Sequence, residues 1–139
     1  GEEKYSWRLA GALVSAREVS PITNTLELAE IIKRNVGGRK SRVHPATRVF
    51  QALRIAVNDE LSALKEGLNS SLDLIEKDGR IVVISFHSLE DRIVKNIFRE
   101  WEIAGIGEIV TKKPVVPSDE EVSENPRSRS AKMRVFKRV

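Results

Sequence analysis

Cysteine is absent from this 139-residue chain, and histidine occurs only twice, at His44 and His87. The first absence removes disulfides and thiolate metal sites, and the second removes a histidine-rich metal centre, so no metal is expected. No apolar run approaches the ~18 residues that a membrane span needs. The opening Gly-Glu-Glu-Lys-Tyr lacks the character of a secretory leader. The expectation is therefore a cytoplasmic protein with no membrane partner. Internal repeats and low-complexity stretches are missing as well. With 40% hydrophobic and 32% charged residues, the composition is that of a folded chain, either one domain or a piece of a larger one.

Acidic residues are missing from two long stretches. Between Ile31 and Asn58 stand Lys33, Arg34, Arg39, Lys40, Arg42, Arg48 and Arg54 with no acid among them. From Asn125 to Val139 stand Arg127, Arg129, Lys132, Arg134, Lys137 and Arg138, again with no acid. The net charge of only +4 hides this segregation. Two basic blocks suit a polyanionic partner, most simply nucleic acid, although two solvated surfaces would produce the same pattern.

The local signals set an order of elements. Residues 3–18 read as an amphipathic helix ended by Ser20-Pro21. Asn24 with Glu27 forms a capping-box pattern for a helix running to about Asn35, with Gly37-Gly38 ending it and Arg39-Lys40-Ser41-Arg42 as a basic loop. His44-Pro45 opens a long helix with the core stripe Val49, Phe50, Leu53, Val57, Leu61, Leu64 and Leu68. A second stripe, Thr47, Gln51, Arg54 and Asn58, shares one face and suits contacts to bases or to another domain. After the Asp78-Gly79 turn come a strand at 80–86, a helix at 88–100, a strand at 108–113, a short helix at 117–124 capped by Ser118 with Glu121, a polar loop at 125–130 and a last strand at 131–139.

The run Ile81-Val82-Val83-Ile84 does not alternate, which predicts a strand buried on both faces at the centre of a parallel sheet. Ser85, His87, Ser88, Asp91 and Arg92 follow at its carboxyl end, where ligands of open α/β sheets bind. A helical block followed by a narrow strand–helix–strand set leaves that strand without a neighbour on one side, so a sheet partner is expected from outside the chain.

Three stretches carry a family resemblance: residues 44–58 (His-Pro-Ala-Thr-Arg-Val-Phe-Gln-Ala-Leu-Arg-Ile-Ala-Val-Asn), residues 83–95 (Val-Ile-Ser-Phe-His-Ser-Leu-Glu-Asp-Arg-Ile-Val-Lys) and residues 125–134 (Asn-Pro-Arg-Ser-Arg-Ser-Ala-Lys-Met-Arg). In this order, with Ile22–Ala29 beside them, they closely resemble the bacterial family of ribosomal RNA small subunit methyltransferase H (RsmH/MraW). The resemblance implies S-adenosylmethionine-dependent methylation of a cytidine N4 in 16S ribosomal RNA. It implies an α/β fold, a Rossmann-like class I methyltransferase domain with an inserted helical domain. On that plan residues 1–50 are the inserted helical, substrate-recognition domain. Residues 51–139 are the carboxyl half of the catalytic domain, a mostly helical piece with about three strands. The family's glycine-rich cofactor loop and the ribose-binding acid have no counterpart here, so the cofactor-binding residues are unknown and belong to a missing amino-terminal half. That half and the small ribosomal subunit are the expected partners. The chain alone is expected to be inactive, and a homodimer would be one way to cover the open sheet edge. The alternative is a non-catalytic basic module that binds RNA or docks onto a separate amino-terminal half.

Methyl transfer to N4 needs the base held, the nitrogen aimed at the methyl group and a proton accepted. Within the resemblance, His87, Ser85 and Asp91 are the catalytic candidates. Ser85 and His87 lie two apart and so share a face. His87 would accept the N4 proton, or hold the cytosine ring or a phosphate. Ser88 and Asp91 also fit a purely structural reading, as cap and third residue of the following helix. Arg48, Gln51, Arg54, Asn58, Ser88, Arg92, Arg127, Arg129, Lys132 and Arg134 are the candidate substrate contacts. Lys137 and Arg138 read as charges protecting an edge strand. A Ser-His-Asp hydrolase finds no support, because no G-x-S-x-G elbow is present.

Overall fold

The computed structural model describes residues 2–36 and 44–139. The expected glycine stop at 37–38 and the basic loop at 39–42 lie outside the described residues. The chain divides into two compact units, residues 1–58 and 59–139.

The first unit holds α1 (Ser6–Val19), α2 (Thr25–Val36) and α3 (Thr47–Asn58). Ser20 closes α1 in extended conformation. Asn24 starts α2 as its spacing predicts: its Oδ1 accepts the Glu27 N–H at 2.9 Å, while the Glu27 carboxylate reaches back to the Thr23 N–H at 3.2 Å. Leu9, Ile32, Ala46 and Val49 form the core, with Leu13, Leu28 and Phe50 packed around it. At the entry to α3 the His44 Nδ1 accepts the Ala46 N–H at 3.2 Å.

The single long helix expected from His44 to Leu68 is two helices, α3 and α4 (Glu60–Leu74), separated by Asp59 in left-handed conformation (φ 49°). A β-carbon is strained there, and Asp tolerates it better than most residues. The break also splits the predicted stripe. Leu53 and Val57 are exposed, whereas Leu68 is buried in the second unit.

The second unit continues with β1 (Arg80–Ser85), α5 (Ser88–Ile103), β2 (Gly107–Ile109), α6 (Asp119–Glu124), a 3₁₀ turn (Pro126–Ser130) and β3 (Lys132–Arg138). Asp78-Gly79 makes the expected turn, with the Gly79 N–H bonded to the Glu76 carbonyl at 3.0 Å. Ser118 caps α6 as expected, accepting the Glu121 N–H at 3.1 Å. The predicted polar loop at 125–130 is largely the 3₁₀ turn.

The sheet order is β1-β3-β2, and β3 runs antiparallel to both neighbours. This corrects two expectations. The run at 81–84 is not a central parallel strand but one edge of an antiparallel pair, with Ile81 opposite Phe136 and Val83 opposite Arg134. The last strand is not an edge strand: β3 is central, and Arg138 donates to the Leu72 and Ile75 carbonyls at 2.6 and 2.7 Å instead of guarding a free edge. Nor is β1 covered twice. Ile81 and Ser85 are buried, but Val82, Ile84 and Phe86 are each more than half exposed, because no described element packs on that face. The strand expected over 108–113 stops at Ile109. There the Thr111 Oγ1 accepts the Val135 N–H at 2.9 Å, and the chain pairs again only at Val115 with Met133.

One core joins α4, α5 and the sheet: Leu68, Ile81, Val94, Ile97, Phe98, Trp101 and Phe136. The rings of Phe98, Trp101 and Phe136 contact one another with centroids 5.2–5.5 Å apart. Gly107 meets this cluster so closely that a β-carbon would fall 2.0 Å from the Lys137 carbonyl oxygen and 2.7 Å from the Phe136 ring. Gly107→Ala is therefore expected to lose about 1–3 kcal/mol of stability through overpacking. Urea unfolding checks it, and an unchanged midpoint would refute the close approach.

Candidate functional site

The carboxyl end of β1 and the start of α5 hold the densest group of polar side chains. His87, in extended conformation, is the N-cap of α5, and its Nδ1 accepts the Glu90 N–H at 3.3 Å. Glu90 reaches back, its Oε2 accepting the Phe86 and His87 N–H groups at 2.8 and 3.2 Å. This is a capping box, set one residue earlier than the Ser88–Asp91 arrangement expected from the sequence. Histidine Nδ1 lies as many bonds from Cα as the amide oxygen of asparagine, so it can take the capping role; Ser88 is the exposed first residue of the helix. Glu90 is not among the residues that the sequence pattern marks as functional; the box spacing, shifted by one residue, is the signal that identifies it.

Asp91, freed from capping, faces β3. Its carboxylate accepts two hydrogen bonds from Arg134, at 2.7 Å (Nε) and 3.2 Å (Nη2), and lies 3.6 Å from the Lys132 Nζ. Both side chains of the Arg134 pair are about nine-tenths buried. Burial pushes the Asp91 carboxyl up, but the Arg134 hydrogen bonds and charge, with Lys132, outweigh it and hold the carboxyl below its ordinary value. The sign follows from linkage. The contribution of Asp91 is complete above its unfolded value, near 3.8, and is lost as pH falls through the depressed folded value. Acid unfolding of an Asp91→Asn variant is accordingly expected to show a shallower loss of stability below pH 4 than the parent chain. Equal slopes would exclude this residue as the cause.

Ser85 is buried, and its hydroxyl donates to the Lys132 carbonyl at 3.3 Å, across the β1–β3 pair. The structure thus brings Ser85, His87, Asp91, Lys132 and Arg134 together at one end of the sheet. Arg127 and Arg129 stand exposed on the 3₁₀ turn that leads into Lys132, and Arg92 is exposed on α5. Four of the sequence candidates belong to the first unit. Arg48 donates to the Glu2 carbonyl at 3.3 Å, Gln51 is half-buried, and Arg54 and Asn58 are exposed on α3. A groove of about 420 Å³ runs between α1 and α3, floored by Leu9, Leu13, Val49 and Ala52.

β1 and β2, both antiparallel to β3, run parallel to each other and are joined through α5, so the second unit is a strand–helix–strand crossover with the last strand inserted between, in a mostly helical chain with a small three-stranded antiparallel sheet. The sequence matches the family model of the MraW methylase family over residues 1–139, and the chain belongs to that family. Among curated relatives it is similar to the ribosomal RNA small subunit methyltransferase H of Persephonella marina, 57% identical across 100% of this chain and 48% of the relative. The proteins of that name from Coprothermobacter proteolyticus (55% identical; 99% of this chain, 46% of the relative) and Rhodopirellula baltica (58%; 100% and 42%) are similar too. The chain spans about half the length of the curated relatives it matches. Among the described residues no helix is long and apolar enough to cross a membrane.

Proposed function

We propose that this chain is the carboxyl-terminal part of a ribosomal RNA methyltransferase that transfers a methyl group from S-adenosylmethionine to a cytidine N4 of 16S ribosomal RNA. The observation that carries the reading is the match to relatives of that enzyme name along the full chain at more than half identity. The sheet supports it. Among the described residues β1 is an edge strand of a strand–helix–strand crossover, with a bare apolar face of Val82, Ile84 and Phe86, as a Rossmann-like sheet would leave it if its first half were elsewhere. The amino-terminal half would pair with β1, cover that face and bring the cofactor site. Residues 1–50 would form the inserted, substrate-recognising helical domain.

In this reading the crevice outside β1 holds the target base. His87 lines it but has its Nδ1 lone pair engaged by the Glu90 N–H, so in its neutral form the ring proton sits on Nε2. Because that Nε2 is sequestered from solvent beside the Glu90 carboxylate, His87 acts as a positioning residue: it caps α5 and fixes the helix start at the crevice. Ser85 and Asp91 are positioning residues that fix β1 and α5 to β3 through Lys132 and Arg134. Arg127 and Arg129, exposed in a stretch that carries no acid from Asn125 onward, are the phosphate contacts.

Co-purification of this chain with a separately expressed amino-terminal half tests the assignment. The reconstituted pair is expected to bind S-adenosylmethionine and to place a methyl group on cytidine N4 in small subunits, read by nucleoside mass spectrometry, while this chain alone does neither. Cofactor binding by the chain alone, or transfer by the pair to another atom, would refute it. In the same system, Arg127→Ala with Arg129→Ala is expected to flatten the salt dependence of RNA binding by about 0.7 log units per lost contact. An unchanged slope would place the RNA elsewhere.

A further inference from the structure

Beside the capping box, a third side chain closes on His87. Glu60, in the first turn of α4, contributes a carboxylate that lies with one ligand atom each of His87 and Glu90 inside a 4.8 Å span. The His87 Nε2 is sequestered from solvent and has no hydrogen-bond partner, on a side chain about nine-tenths buried. It sits 3.2 Å from the Glu90 Oε1, close but misaligned for a hydrogen bond. A buried nitrogen left unsatisfied between two carboxylates is costly for a fold that gains nothing from it.

We propose that Glu60, His87 and Glu90 form a binding site for one first-row divalent cation, of the Zn²⁺ or Mn²⁺ kind. The spacing fits. Two ligands each about 2.1 Å from one ion, at angles between square and tetrahedral, stand about 3.0–3.4 Å apart, which brackets the 3.2 Å from Nε2 to Oε1. Two such bonds end to end span about 4.2 Å, so a small rotation of the Glu60 side chain completes the set. One imidazole with two carboxylates suits first-row ions better than Mg²⁺ or Ca²⁺, which take oxygen alone. Binding moves the ring proton from Nε2 to Nδ1, so the ring turns away from the Glu90 N–H and the metal bond replaces that capping hydrogen bond. The Glu90 Oε2 keeps its hold on the Phe86 and His87 amides, and Oε1 faces the ion. Three protein ligands leave further positions open to water at the carboxyl end of β1. The site shares His87 with the proposed methyl-transfer crevice but does not rest on that reading, since its three ligands are read from their own geometry and tested by titration of this chain alone.

Calorimetric titration of Zn²⁺, and separately Mn²⁺, into this 139-residue chain tests it. One equivalent is expected to bind at micromolar concentration, and the Mn²⁺ complex to show coupling to a single imidazole nitrogen by electron spin-echo spectroscopy. His87→Asn keeps a good capping residue but removes the ligand nitrogen, and Glu60→Gln removes one carboxylate without touching the cap. Each is expected to weaken binding at least tenfold while the metal-free melting temperature stays within a few degrees of the parent. No binding at millimolar ion, or parental affinity in either variant, overturns the assignment, the latter by placing the cation on other side chains such as His44.

Discussion

Asp91→Ala is expected to destabilise the chain by about 3–5 kcal/mol, the largest effect of any polar substitution here. Deleting the carboxylate leaves the Arg134 guanidinium buried under α5 with its two hydrogen bonds broken. A buried charge stripped of its partner loses both water and counter-charge, which is why the penalty exceeds what the pair contributes when intact. Asp91→Ala combined with Arg134→Met is therefore expected to recover most of the loss, because an apolar side chain of similar length needs no partner at that position. Urea unfolding of the two single variants and the double variant forms the cycle. A single-variant loss below 1 kcal/mol, or a double variant as unstable as Asp91→Ala, would mean that the pair is solvated in solution. The prediction also separates structure from chemistry at this end of the sheet. A residue that pins α5 to β3 must alter stability, whereas one that only touches substrate need not.

Phe136→Ala should cost about as much, 3–5 kcal/mol, for an unrelated reason. Phe136 is completely buried on the central strand, and its ring meets Phe98 at 5.4 Å and Trp101 at 5.2 Å. Truncation opens a cavity between β3 and α5 that neither rigid ring can refill. Ile103→Ala, at the exposed end of α5, is the control and should stay within about 0.5 kcal/mol. If the two variants melt together, the aromatic cluster is not the core of the second unit.

Much of this molecule is legible in its residues, wherever the deciding interaction is local. The Asn24–Glu27 and Ser118–Glu121 caps, the Asp78-Gly79 turn and the starts of β1 and α5 follow from neighbours a few positions apart. The family resemblance, carried by three long motifs in order, is borne out by the match across residues 1–139. The cap of α5 lies one residue earlier than the Ser88–Asp91 spacing predicts, because histidine is not a usual capping side chain, although its Nδ1 has the reach for it.

Local residue patterns sufficed for the order of most helices and strands, for where charge collects and for the family of the chain, because each depends on short-range preference or on residue identity in register; the break at Asp59 and the early end of β2 did not follow from them. Long-range packing set the rest: β3 enters the sheet between β1 and β2, Asp91 answers Arg134 across 43 positions, and Glu60 closes on His87 and Glu90. The same packing leaves one face of the apolar run at 81–84 bare. Alternation along a strand records how many faces are destined for burial. Pairing order and the side chains that meet across it depend on how distant segments share one core, and no local pattern carries that information.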